Sequence, residues 1–234
     1  MPAFSNVNEI KVEFSEFDYD FYIDSMKSTL TENELLTLQQ DNNLVKNWYD
    51  IGFRDISAYY FKNTLDDRSK SSEWMLSGDK FQVAFAEADN TVLIRFYVDN
   101  AIYCYEKAFE LDPGNTAARI RLATCFIDGT KEVMRAVRLL KDILIEEPGN
   151  FDANYYLGIL SMHSAQYDKA IMRFETALET EPHSIDAWLN LGEAYVKTGN
   201  GQKAKEVLLE CKSLIEDPEI IQMLDNYIDA IEIN

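Results

Sequence analysis

The sequence predicts an all-α fold in which helical hairpins stack one after another into a solenoid. Three observations predict it. Pro113, Pro148 and Pro182 each close a similar phrase, AFELDPGN at 108–115, ILIEEPGN at 143–150 and ALETEPHS at 177–184, and a period of about 34 residues marks a repeat architecture. The phrases also agree in register: Ala101, Tyr105 and Ala108 precede Pro113 at the offsets of Ala136, Leu140 and Ile143 before Pro148, and of Ala170, Phe174 and Ala177 before Pro182. Finally, 47% of the residues are hydrophobic, while Gly and Pro are few, which separates the chain from disordered compositions.

Each unit reads as two antiparallel helices. Small residues let the pair approach closely, and large apolar residues fill the space between pairs. The prolines cannot continue the preceding helix and end it. One hairpin cannot bury its apolar face alone, so units must stack.

The expected organisation is an acidic N-terminal arm or linker at 1–30, degenerate helical pairs at 31–88, an array over 82–218 with units at about 82–116, 117–150, 151–184 and 185–218, and a capping helix at 217–231. Val12, Phe14, Phe17 and Tyr19 alternate with acids, which suits an arm docked on the solenoid and a mobile linker alike. Thr31-Glu32-Asn33-Glu34 is a capping box. Leu44, Trp48 and Ile51 share one helical face; Ile56, Tyr60 and Leu65 share another. Asp89-Asn90-Thr91 reads as a turn between helices near 71–88 and 91–111. In the unit at 117, Ala123-Thr124 stands where later units have Leu-Gly, and Asp128-Gly129-Thr130 reads as the turn. Asp217-Pro218-Glu219 is a helix start, with Ile220, Ile221, Leu224, Tyr227 and Ile231 as its apolar face.

Leu157-Gly158 in one unit, and Trp188, Leu191-Gly192 and Tyr195 in the next, complete a pattern that closely resembles the tetratricopeptide repeat. The best matches are 151–184 and the first half of 185–218; the last unit departs with Leu208 for an aromatic and Cys211 for Ala. The resemblance implies a right-handed superhelical α-solenoid whose first helices line a concave groove for extended peptides or partner helices. It also implies a scaffold of the small bacterial type, cytoplasmic or the soluble domain of a membrane-anchored protein whose anchor is absent from this chain. At the groove offsets stand Arg121, Cys125 and Asp128, then Tyr155, Ile159, Met162 and His163, then Leu189, Glu193, Val196 and Lys197. The Lys, Asn and Arg set with which some family members hold a chaperone's C-terminal carboxylate is missing, so no such clamp is expected.

The formal charge is −19, from 41 acidic and 22 basic residues. Nucleic acid is an unexpected partner, because the longest basic cluster, Arg135 to Lys141, is interrupted by apolar positions. A neutral or basic protein or peptide fits better. Cys104, Cys125 and Cys211 form no CxxC pair and read as reduced thiols. His163 and His183 have no metal-type companions, and no phosphate-cradling loop or nucleophile elbow occurs. The expected function is therefore a non-enzymatic interaction scaffold without cofactor or metal, the alternative being a self-associating structural solenoid. Tyr155, Ile159 and Met162 have a second reading, as packing residues between neighbouring helices.

Overall fold

The computed structural model describes residues 18–39, 43–130 and 132–231. The expected arm residues Val12, Phe14 and Phe17 lie outside the described residues. Thirteen helices and no strand occur among the described residues. The chain divides into two compact units, Met1–Lys131 and Glu132–Asn234.

The first unit contains α1 (Tyr19–Lys27), α2 (Glu32–Gln39), α3 (Leu44–Asp50), α4 (Arg54–Asn63), α5 (Ser71–Glu87), α6 (Thr91–Leu111) and α7 (Thr116–Gly129). From α3 onward each helix packs on the next in chain order. The second contains α8 (Val133–Glu146), α9 (Phe151–His163), α10 (Tyr167–Thr180), α11 (Ile185–Lys197), α12 (Gly201–Ser213) and α13 (Pro218–Ala230). These too pack successively. Sequential stacking of antiparallel pairs is the solenoid arrangement.

The repeated proline phrase has one local geometry. Pro113, Pro148 and Pro182 each stand two residues beyond the end of a helix, and the next helix begins three residues later. Between them Asn115, Asn150 and Ser184 cap the new helix, accepting from the backbone N–H of Ala118, Ala153 and Ala187 at 3.1, 3.0 and 3.3 Å. A side chain six residues past the proline then ties the turn down in the second unit. Asn154 Nδ2 donates to the Pro148 carbonyl at 3.0 Å and Trp188 Nε1 to the Pro182 carbonyl at 2.8 Å. Such capping satisfies amides that a helix start leaves open.

Within the pairs, glycine sets the interhelical distance. Gly78, Gly158 and Gly192 are each the eighth residue of their helix. A Cβ there would fall 2.5 Å from the Tyr105 ring, the Phe174 ring and Leu208 Cδ2 respectively. The α5–α6 pair thus repeats the device with a longer second helix, and the expected boundary near residue 82 falls inside α5. Gly129 and Asp128 are helical, not in a turn; Gly129 is small because Val98 would meet its Cβ at 2.5 Å.

Counting from the prolines corrects the register of α7. Pro113 and Pro148 are 35 residues apart, Pro148 and Pro182 34. The counterpart of Leu157-Gly158 is therefore Leu122-Ala123, one residue earlier than the expected Ala123-Thr124, and Ala123 is fully buried. On α13 the buried face is Leu224, Ile228 and Ile231, while Ile220 and Tyr227 of the expected face are 50% and 43% exposed. Asp217 caps this helix, accepting from Glu219 N–H at 2.8 Å, with Pro218 at its first position.

Residues 19–27 of the expected arm form α1, which buries Tyr19, Tyr22 and Ile23. Three phenol hydroxyls, from Tyr19, Tyr22 and Tyr97, donate to Asp55 Oδ2 at 3.1, 2.9 and 2.7 Å. Tyr19 also stacks on Phe96 at 4.3 Å between centroids. Burial, then the Asp55 charge, pushes all three phenols far above their ordinary range, so they stay protonated and donate. By contrast α2 buries no side chain, although its capping box forms between Thr31 and Glu34.

Two stability measurements follow. Asp55→Ala removes the carboxylate to which three hydroxyls donate and should lower the unfolding free energy by about 3 kcal/mol in urea titration. Gly158→Ala drives a methyl into the fully buried Phe174 ring and should cost about 1–3 kcal/mol, more than the roughly 1 kcal/mol that alanine gains in a helix.

Candidate functional site

The eleven residues singled out for the groove divide between the two units. In the first, Arg121 and Asp128 are exposed, and the Arg121 guanidinium lies 3.5 Å from the Asp79 carboxylate of α5. Asp79 also accepts from the Tyr105 hydroxyl at 2.7 Å. Cys125 is only 5% exposed and does not line an open wall. The slipped register explains it: Cys125 lies twelve residues past its proline, as does the fully buried Ala194 of α11. Its thiol meets Gln82 Nε2 at 3.3 Å.

In the second unit, Tyr155, Ile159, Met162 and Val196 are half-buried and pack against the core of α10 to α13, whose members include Phe174, Leu191, Tyr195 and Leu208. The packing reading of these residues therefore holds for their inner sides, and solvent reaches the rest. Tyr155 is fixed by a near-parallel stack on Phe151 at 5.7 Å and receives a 3.5 Å hydrogen bond from Asn190 Nδ2. Burial, followed by the Asp186 charge, raises the Tyr155 pKa. Leu189 is 38% exposed. Glu193 and Lys197 form a one-turn ion pair at 3.9 Å, each half in solvent. Tyr227 of α13 feels the Glu193 charge, which together with the larger effect of burial raises its pKa. This face is an aromatic and aliphatic strip with a loose charged rim, backed by packed side chains.

His163 lies elsewhere, at a cleft of about 490 Å³ among α8, α9 and α10. Met134, Val137, Leu160 and Met172 give it an apolar lining, with Lys141, Lys169 and Arg173 beside them. No Asp or Glu lines it. Sequence reading missed this cleft because its cations come from two helices, and Arg135 to Lys141 alone is an interrupted run.

Among the described residues no group of three or more His, Cys, Asp or Glu is placed to hold a metal ion. No described helix is long and apolar enough to cross a membrane. The three cysteines are buried and unpaired with one another, and desolvation pushes the Cys104 and Cys125 thiols up to about 11. That is the reverse of thiol activation.

Residues 162–212 match the family model of the tetratricopeptide repeat. Their helices and closely packed glycine follow that pattern through α10, α11 and α12. Within that span the chain carries the tetratricopeptide repeat pattern. Among curated proteins it is similar to Superkiller protein 3 of Schizosaccharomyces pombe, 31% identical over 105 residues that make up 42% of this chain and 8% of that protein. It is also similar to Superkiller complex protein 3 of Mus musculus, 22% identical over 212 residues, 83% of this chain and 13% of that one. The chain thus spans a small part of the length of these relatives. Among solved structures, MamA gives a TM-score of 0.58 at 21% identity, covering 75% of this chain and 95% of that one. MamA of Desulfovibrio magneticus RS-1, residues 41 to the end, gives 0.57 at 17%, covering 79% and 96%. The shared fold is the helical solenoid of tetratricopeptide type.

A chemical test follows from the thiols. Native protein at pH 8 should react with a thiol reagent far more slowly than the urea-unfolded chain. Because Cys104 and Cys125 titrate near 11 when folded and near 9.0 when free, their contribution to stability is present below pH 9.0 and lost as pH rises toward 11. Urea midpoints at pH 8 and pH 10 measure that loss.

Proposed function

We propose that this tetratricopeptide repeat protein is a non-enzymatic scaffold that holds a peptide or helix of a partner protein on the α9–α11 face. The observation that carries this reading is Tyr155, half-open to solvent yet fixed by the Phe151 stack and the core behind it. A rigid aromatic surface loses little side-chain entropy on binding, the property of an interface anchor. Tyr155, Ile159, Met162 and Leu189 supply the apolar contact. The 3.9 Å ion pair of Glu193 and Lys197 is exposed enough to exchange partners, so these side chains select charge at the rim. Arg121 and Asp128 are exposed side chains of the first unit's own surface and would select charge there, and Cys125, being buried, does not take part. With a net charge of −19 the chain as a whole favours neutral or basic partners in this role.

A second reading, self-association, has one observation in its favour. Ile220, Met223 and Tyr227 form a stripe along α13 and are 50%, 71% and 43% exposed.

Capture of partners from the native cell distinguishes the two. Leu189→Asp together with Tyr155→Ala should lose the partner held by the native protein, by about tenfold or more in retained amount, while circular dichroism and urea midpoint report an intact fold. Unchanged capture would move the site away from this face. In the second reading, Ile220→Asp with Met223→Asp converts a concentration-dependent oligomer to monomer in light scattering.

A further inference from the structure

The cleft among α8, α9 and α10 has a chemistry opposite to that of the molecule that carries it. In a chain of net charge −19, it is lined by Lys141, Lys169, Arg173 and His163 without one carboxylate. Lys169 donates to Gln166 Oε1 and Arg173 to Asn154 Oδ1 at 2.9 Å, both neutral acceptors. Neither these two nor Lys141 forms an ion pair with any described residue. The apolar part of the lining is equally open: Met134 is 69% exposed and Met172 53%. Methionines are the side chains that best adapt to an incoming apolar surface.

We propose that this cleft is a docking site, separate from the α9–α11 face, for an acidic amphipathic segment of a partner protein. Charge complementarity selects the occupant. An acidic segment approaching the molecule at large is repelled, but at physiological salt that field decays over about 8 Å, whereas the cations of the cleft meet its carboxylates in contact. The apolar side chains select a peptide over a bare polyanion, which would leave Met134, Val137, Leu160 and Met172 uncovered. Salt therefore weakens binding without abolishing it, since burial of apolar surface is not screened.

The test uses the full chain and three labelled probes in fluorescence anisotropy: an amphipathic peptide of Leu and Glu, a scrambled peptide of the same composition, and a single-stranded oligonucleotide. The amphipathic peptide should bind saturably, and Lys141→Glu with Lys169→Glu, both exposed positions, should weaken it at least tenfold. Leu189→Asp should leave it unchanged, which separates this site from the other face. Absence of binding, equal binding of the scrambled peptide or the oligonucleotide, or indifference to the two lysine changes would each overturn the proposal. The chain's own residues 9–17 alternate Ile10, Val12, Phe14 and Phe17 with Glu9, Glu13 and Glu16 and are the competing occupant. If Glu13→Lys with Glu16→Lys raises the affinity for the amphipathic peptide, that segment fills the cleft and an outside partner is contradicted.

Discussion

The fold rests on the absence of one carbon atom at the same place in three helices. Gly78, Gly158 and Gly192 let a bulky side chain of the paired helix, Tyr105, Phe174 or Leu208, lie against bare backbone. Each of those three side chains is fully buried, so the contact fixes both the distance within a pair and the filling of the core. Close packing makes such contacts intolerant of added volume. Where the device is relaxed to Ala123 in α7, the neighbouring contact changes with it, and Gly129 takes up a tight approach to Val98.

Within the second unit, the first helix of each glycine-containing pair, α9 and α11, keeps one side partly open to solvent. On α9 and α11 that side carries Tyr155, Ile159, Met162 and Leu189, whose inner atoms belong to the core and whose outer atoms meet solvent. Stability and the proposed binding surface thus draw on the same residues. A side chain locked by its neighbours is a prepared contact surface, because little freedom remains for a ligand to remove. The opposed chemistry of the α8–α10 cleft has a different origin: its apolar part belongs to three successive helices, while its lysines are exposed residues that form no ion pair with any described acid.

Much of the fold was legible in the sequence, since the proline phrases record three demands at once: an end to one helix, a turn and a cap for the next. What escaped was register. The interval of 35 residues between Pro113 and Pro148 moves the α7 pattern by one residue, and one residue on a helix is about 100° of rotation. Cys125 accordingly faces inward and not onto the groove. On α13, Tyr227 and Ile228 are both apolar, and only the packing shows that Ile228 is the buried one. Gly78 was overlooked because α6 is 21 residues long, which stretches the repeat beyond its usual period. The Asp55 cluster joins residues 33 to 42 positions apart, and no local pattern announces such a meeting.

The close approach within pairs is tested most directly by nuclear magnetic resonance of the glycine α-protons. Gly158 should show strong nuclear Overhauser contacts to the Phe174 ring and large ring-current shifts, and Gly78 the same toward Tyr105. Gly192, opposite Leu208, should show methyl contacts without such shifts. Glycine α-protons at ordinary positions, with no contact to those rings, would contradict the packing from which both proposed binding surfaces are built.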